Sequence, residues 1–320
     1  MRPDVSFIIA AFNAERSIAR AIESGLAQRG VSVEIVVVDD CSSDRTVAVA
    51  RKFPKHLVRV VELDGNRGPG GARNAGLDIA AGRWIAVLDS DDTVRPGRLA
   101  RMVGRAENTG AQIVVDNLET VAEDTGVRAT MFSIERLEAL EHITLADFIA
   151  ANLLFERAAS FGYMKPVLES RFLQDNGLRY DETLRIGEDY IFLASALARG
   201  GRCTVEPTAG YCYHLRAVSI SRVLELHHVE AMLRAETDFL RDHDLDPQAL
   251  AAQARRTRSL QRGASFLSLV RHLKDRAPLR AAGVALRDPA ALHHLRMPIA
   301  ARLRRLSSAP PADERGRGGG

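Results

Sequence analysis

Four short apolar runs, separated by helical patterns, constrain this chain more than any other feature: Val5–Ala11, Glu34–Val38, Val58–Leu63 and Trp84–Leu88. The runs are rich in Val and Ile, and the segments between them read as helices at Ala14–Gln28, 44–53 and about 72–81. Strands apolar at nearly every position are buried on both faces, as in a mostly parallel sheet sandwiched by helices. The fold class is therefore α/β and Rossmann-like. Such sheets bind ligands at the carboxyl ends of their strands. Asp39-Asp40 and Asp89-Ser90-Asp91-Asp92 both fall at such ends.

Beyond Asp92 the pattern is less regular. Ala111–Val115 reads as one more strand, 117–135 carries no periodicity, and 144–200 is mostly helical. Strand-like pieces fill 203–222, and 226–305 is helical with breaks at Pro247, Pro278, Pro289 and Pro298. The tail from Ser307 is small, polar and rich in breakers, a composition expected to be disordered.

With 46% hydrophobic residues the chain can bury a core, yet no run reaches the ~18 apolar residues of a membrane span. No basic and apolar leader precedes Val5, and three cysteines without ligand spacing build neither a disulfide framework nor a zinc site. A reduced cytoplasmic setting is expected. The net charge of +3 hides an asymmetry: residues 255–305 hold 13 Lys or Arg against Asp275 and Asp288. That segment suits a solvated helical face or the anionic inner surface of a membrane equally well. With the remainder acidic and no recognition motif present, nucleic acid is not an expected partner.

Three carboxylates in four residues at Asp89, Asp91 and Asp92 repel one another and call for a cation or donors, and a divalent ion clamping a diphosphate meets that need. Asp92 is also placed to cap a helix over 95–107. One of Asp39 and Asp40 can accept from a base or ribose, or simply serve a turn. The glycine-rich loop Asp64–Gly71 opens a helix whose amides could face phosphate, with Arg73 pairing to it. It is neither a dinucleotide fingerprint nor a P-loop. Glu188 and Asp189 sit in the first turn of a helix, where acids are common because the dipole favours them. His214 and Arg216, followed by Ser221, could contact a diphosphate or metal.

As an ordered set these segments resemble the family 2 glycosyltransferases of the GT-A fold, across roughly residues 4–222. The likeness rests on Val5–Ala14, Glu34–Asp44, Asn66-Arg67-Gly68, Gly71–Leu77, Asp89–Asp92, Gly177–Glu182 and Gly187-Glu188-Asp189. Within the family the chain most resembles bacterial exopolysaccharide enzymes that build succinoglycan-like repeats on a lipid carrier. The resemblance implies an inverting, metal-dependent hexosyltransferase, with UDP-glucose as the best guess for the donor and a saccharide or lipid-linked acceptor. It puts Phe12 beside the nucleobase, Asp40 on its ring, and Asp89, with Ser90 beside it, at the ribose. Asp91 would bind Mg²⁺ or Mn²⁺, with His214 near it, while Arg216 and Ser221 close over the diphosphate. Asp189 would be the general base and Glu188 would position the acceptor or the loop. Ala10 stands where some members carry a hydroxyl near the base.

On this reading 1–116 is a nucleotide-sugar-binding half and 117–225 an acceptor-binding half. Residues 226–306 form a basic helical extension and 307–320 a tail. Two rivals are a nucleotide-sugar-binding protein without transferase activity and a sugar-1-phosphate nucleotidyltransferase. The first would lack the base. The second should carry Gly, Lys and Arg after the first strand, where this chain has Ala11-Phe12-Asn13-Ala14.

Overall fold

The computed structural model describes residues 2–155, 160–215 and 224–295. Strand and helix alternate at first: β1 (Val5–Ala11), α1 (Ile18–Leu26), β2 (Val33–Asp39), α2 (Thr46–Ala50), β3 (Val58–Glu62), α3 (Gly68–Ile79) and β4 (Trp84–Val87). Then come β5 (Thr93–Val94), α4 (Arg98–Thr109), β6 (Ile113–Ala122), β7 (Arg128–Thr130), α5 (Ile134–Glu138), β8 (His142–Ile143) and α6 (Leu145–Ala150). The next elements are β9 (Val167–Glu169), α7 (Ser170–Asp175), α8 (Glu188–Ala198) and β10 (Cys203–Leu215). Helices α9 (Leu226–Asp242), α10 (Pro247–Lys274) and α11 (Pro278–Arg287) follow.

The strands form one sheet in the order β3-β2-β1-β4-β9-β6-β10-β5, with β7 beside β6 and β8 beside β10. The long ladders, β1 to β2 and β4, β2 to β3, and β6 to β10, are parallel. The short strands β5, β7, β8 and β9 pair antiparallel, so the sheet is mixed. Phe7, Ile8 and Ile9 on β1 are fully buried, and each contributes ~1.5–3 kcal/mol relative to exposure.

Strand β9 joins the two halves. Its Leu168 lies opposite Ile85 of β4 on one side and Ile113 of β6 on the other. Because β9 runs against both neighbours, its beginning points toward their carboxyl ends. Lys165, two residues upstream of β9, is thereby delivered to the edge that also carries Asp89.

Several boundaries differ from the sequence reading. The glycine-rich loop is no separate cradle: α3 starts at Gly68, so the glycines form its first turns. The aperiodic stretch from 117 holds the rest of β6 and its partner β7. The helix after Asp92 is capped at Gly97, not at Asp92.

The chain clusters into a compact unit, Met1–Leu260, and a second unit from Gln261 onward. No helix among the described residues is long and apolar enough to cross a membrane. Within the first unit, Arg256 is buried and pairs with the buried Glu236 at 2.7 Å, its guanidinium 3.5 Å from the centre of the Tyr190 ring. Arg256, counted by charge among the groups free to meet a surface, is instead part of this packing.

Candidate active site

Strand β4 ends in the acidic turn, and β10 holds that turn in place. The Asp89 amide donates to Tyr211 Oη at 3.1 Å, and Tyr211 Oη donates to Asp92 Oδ2 at 2.8 Å. The His214 amide donates to Asp92 Oδ1, also at 2.8 Å. Burial, with Asp89 and Asp91 close by, pushes the Asp92 carboxyl well above the ordinary carboxylate range. Asp92 is thus a structural acid, while Asp89, Ser90 and Asp91 stay half-buried at the strand end.

Facing this turn is the start of α8. Gly187, at φ +92°, adopts a left-handed conformation that favours glycine and launches Glu188 and Asp189 into the first helical turn. Two buried cations tie these acids to the β4 turn. Arg73 contacts Asp89 at 2.9 Å, Glu188 at 2.6 Å and Asp189 at 2.9 Å. Lys165 contacts Asp89 at 2.9 Å and Asp189 at 2.8 Å. Burial raises the Asp89 carboxyl, but Lys165 and Arg73 outweigh it and hold it below the usual carboxylate range. The stability this pairing contributes is present at neutral pH and is lost as pH falls below that range. Glu188 moves the other way: burial and Asp189 raise it against the pull of Arg73.

The sequence pattern assigned Arg73 to phosphate. The structure places it among carboxylates, with its guanidinium 5.4 Å from the Tyr180 ring centre. Its neighbours on α3 have the same clamping character. Asn74 accepts from the Tyr180 amide at 2.9 Å and donates to the Tyr180 carbonyl at 3.0 Å. Arg67 grips Glu182 through two oxygens at 2.7 and 2.8 Å. Asp40 anchors the beginning of α3, with Oδ1 accepting from the Arg67 amide at 2.6 Å and Oδ2 from the Gly68 amide at 2.8 Å. Burial raises the Asp40 carboxyl despite those two amides. Gly68 sits at φ +78°, and a Cβ there would collide with Arg185.

The remaining expected residues are distributed as follows. Phe12, just past β1, is 48% exposed, a large aromatic face at the strand edge. Ala10 lies in register with Val38 of β2. His214 Nε2 is 2.9 Å from Thr93 Oγ1, and Nδ1 is 3.7 Å from Glu123, which also pairs with Arg20 at 2.8 Å. Arg20 in turn donates to the Asp91 carbonyl at 2.9 Å. Arg216 and Ser221 lie outside the described residues.

Among the described residues no group of three or more His, Cys, Asp or Glu side chains forms a metal cage. The donor set still suits Mg²⁺ or Mn²⁺ bound in the manner of nucleotide sites, by one or two carboxylates plus phosphate oxygens and water. Asp91, at the end of β4, would supply such a carboxylate. Ligation by His214 Nε2 requires its contact with Thr93 to be exchanged.

Residues 6–172 match Glycosyl transferase family 2. The chain is 59% identical over 306 residues to the succinoglycan biosynthesis protein ExoO of Rhizobium meliloti, covering 96% of this chain and 88% of that protein. The chain belongs to glycosyl transferase family 2. Solved structures share its GT-A-like fold. S. aureus TarS 1-349 in complex with UDP-GlcNAc aligns at TM-score 0.63 and 21% identity, covering 89% of this chain and 92% of that one. The mannosyltransferase PcManGT of Pyrobaculum calidifontis, in complex with GDP-Man and Mn²⁺, aligns at 0.61 and 17%, covering 95% and 81%.

In this glycosyltransferase the motifs locate the acids and Arg73, though with phosphate as its partner, but they miss Lys165 and the tyrosine that orients the turn. Lys165 gave no signal, being one lysine before a proline. Tyr211, three residues before His214, carries no distinguishing pattern of its own. The clamp yields a prediction. Arg73→Met leaves Asp89 and Asp189 sharing Lys165 and takes from Glu188 its cation, and breaking a buried pair on one side costs ~3–5 kcal/mol. Urea unfolding is expected to show a loss of about 3 kcal/mol or more, and a loss under about 1 kcal/mol would mean that the acids relax without Arg73.

Proposed function

We propose that the chain is an inverting glycosyltransferase that moves a hexose from a UDP-sugar, best matched by UDP-glucose, to a saccharide or lipid-linked acceptor in exopolysaccharide synthesis. One observation carries this reading: the single ammonium of Lys165 touches both Asp89, at the end of β4, and Asp189, on α8. A donor-side acid and an acceptor-side acid therefore share one edge of the sheet. Asp189 accepts the proton of the acceptor hydroxyl while that oxygen bonds to the anomeric carbon. The diphosphate leaves from the opposite face, so an α-linked donor yields a β-linked product. Asp89 accepts from the ribose, Phe12 offers its exposed face to the base, and the remaining lone pairs of Asp40 accept from the base imide. Glu188 holds Arg73 and through it the base. A divalent ion held by Asp91 with the donor's own phosphates would neutralise the leaving diphosphate. The UDP-GlcNAc and GDP-Man–Mn²⁺ complexes of the fold neighbours support a nucleotide-sugar donor and a metal. The test is a panel of UDP-, GDP- and ADP-sugars with Mg²⁺ or Mn²⁺ and saccharide acceptors. Transfer from a UDP-sugar is expected, and binding without transfer or hydrolysis in any combination overturns the reading.

Base recognition has its own test. UDP is expected to bind about tenfold more tightly than GDP or ADP, the worth of one hydrogen bond to a charged acceptor. Equal affinities by calorimetry would remove Asp40 from base recognition.

We also infer that the basic C-terminal segment rests on an anionic inner membrane surface. On α11, Leu279 and Leu286 lie two turns apart on one face and are 88% and 82% exposed, with Arg280 and Arg287 exposed alongside. Arg258, Arg262, Arg271 and Lys274 are exposed as well. Each such cation near an anionic surface contributes ~1 kcal/mol. The full chain is expected to float with phosphatidylglycerol vesicles at low salt and to be released at high salt. Protein that stays in the dense fraction at low salt would make the segment a solvated face.

A further inference from the structure

We propose that Lys165 is the positioning residue that sets the general base Asp189 at its working distance from the donor-side Asp89, held from behind by Arg98 and Asp116. The proposal rests on the assignment of Asp189 as the base. Asp89 and Asp189 reach the site on separate elements, the turn after β4 and the first turn of α8, which share no ladder. Lys165 Nζ spans them directly, 2.9 Å from Asp89 Oδ2 and 2.8 Å from Asp189 Oδ2. The compact ammonium serves both oxygens as a point charge on a flexible stem, a geometry that the broader planar fork of arginine does not reproduce.

The residue is only 8% exposed. Lysine is almost never that buried unless paired, and a buried ion pair is a poor route to stability compared with apolar packing. What it gains is a defined position. Its backbone is fixed accordingly. The Lys165 carbonyl accepts from Arg98 Nη2 at 2.6 Å, and Arg98 makes two 2.8 Å hydrogen bonds to Asp116 on β6. Arg98 is completely buried and lies 5.4 Å from the Tyr211 ring centre. Tyr211 in turn accepts from the Asp89 amide. One buried arginine thus braces both ends of the Lys165–Asp89 contact. Around Asp189 the charged and titratable groups are Lys165, Arg73, Glu188 and Tyr180.

Kinetics and UDP calorimetry on Lys165→Met, Lys165→Arg, Asp189→Asn and the double variant Asp189→Asn/Lys165→Met test this. Lys165→Met is expected to lower kcat about 10–100-fold, as a misplaced catalytic group does, with UDP affinity within about threefold. The loss should appear in kcat, with KM for the donor little changed. Lys165→Arg should restore only part of kcat. In the Asp189→Asn background, losing Lys165 should cost less than about threefold more, since residues acting as a unit are not additive. A defect of Lys165→Met that lies in KM with kcat unchanged, or full additivity in the double variant, makes Lys165 merely structural and overturns the proposal. If Lys165→Met does not fold, Lys165→Arg decides, and wild-type kcat there overturns it. Near wild-type transfer by Asp189→Asn alone overturns the base assignment itself, a failure read separately from the lysine variants.

Discussion

Asp91→Ala is expected to abolish transfer, by about 10³-fold or more, while the protein keeps its melting transition. A divalent ion at the leaving diphosphate would stabilise the charge that develops there by several kcal/mol, and ~1.4 kcal/mol is one decade in rate. The fold preservation follows from which acid carries the turn. Asp92, not Asp91, is the buried carboxylate that binds Tyr211 and the His214 amide. Asp91 is half-buried, and its backbone carbonyl accepts from Arg20. Removing its carboxylate subtracts a ligand while the Asp92 hydrogen bonds to Tyr211 and the His214 amide, which shape the turn, stay in place. Chelation of wild-type enzyme should give the same loss, reversed by Mg²⁺ or Mn²⁺. Full turnover by chelated enzyme would sink the metal assignment. His214 separates the two ways of losing metal. Because its Nε2 is already against Thr93, His214→Ala should weaken activity far less than Asp91→Ala.

The sequence made the first strands of this fold legible for a simple reason. β1, β2 and β4 are central strands buried along most of their length, so nearly every position is apolar and the turns that end them are polar. β9 offers no such contrast. It is three residues long, follows a proline, and lies in a stretch whose composition also suits helix. Its strand character comes from β4 and β6 on either side, which no local pattern encodes. The site divides the same way. Acids at strand ends announce themselves by position, but their counterions come from remote parts of the chain, Arg73 on α3 and Lys165 before β9. The glycine-rich segment misled for a related reason. Glycines before a helix suggest phosphate, whereas here Gly68 and the turns after it let α3 approach Asp40 and the 180–185 segment closely, so that Arg67, Arg73 and Asn74 clamp Glu182, the first turn of α8 and Tyr180. The acidic ladder on Asp92 shows the limit of a local rule, since a residue spaced as a helix cap was taken over by a tyrosine from a strand far along the chain.

Asp189→Asn is expected to lower turnover by about 10²–10⁴-fold, the usual worth of positioned proton transfer. The substitution keeps the size of the side chain and one acceptor oxygen but removes the group that takes the acceptor's proton. UDP affinity should change little, because the residues assigned to the nucleotide, Phe12, Asp40 and Asp89, lie on the β1, β2 and β4 edge. The neighbouring Glu188 provides the control. It is more buried than Asp189, and its 2.6 Å contact with Arg73 uses it as a brace. Glu188→Gln keeps a neutral hydrogen-bond partner for that guanidinium, and burial already favours the neutral form of Glu188. It should therefore lower turnover less than Asp189→Asn, and its defect should appear partly as lost stability. If Asp189→Asn transfers sugar at a near wild-type rate while Glu188→Gln does not, the base is Glu188. Arg73 would then be the group that holds the base, and Lys165 would act only on the donor side.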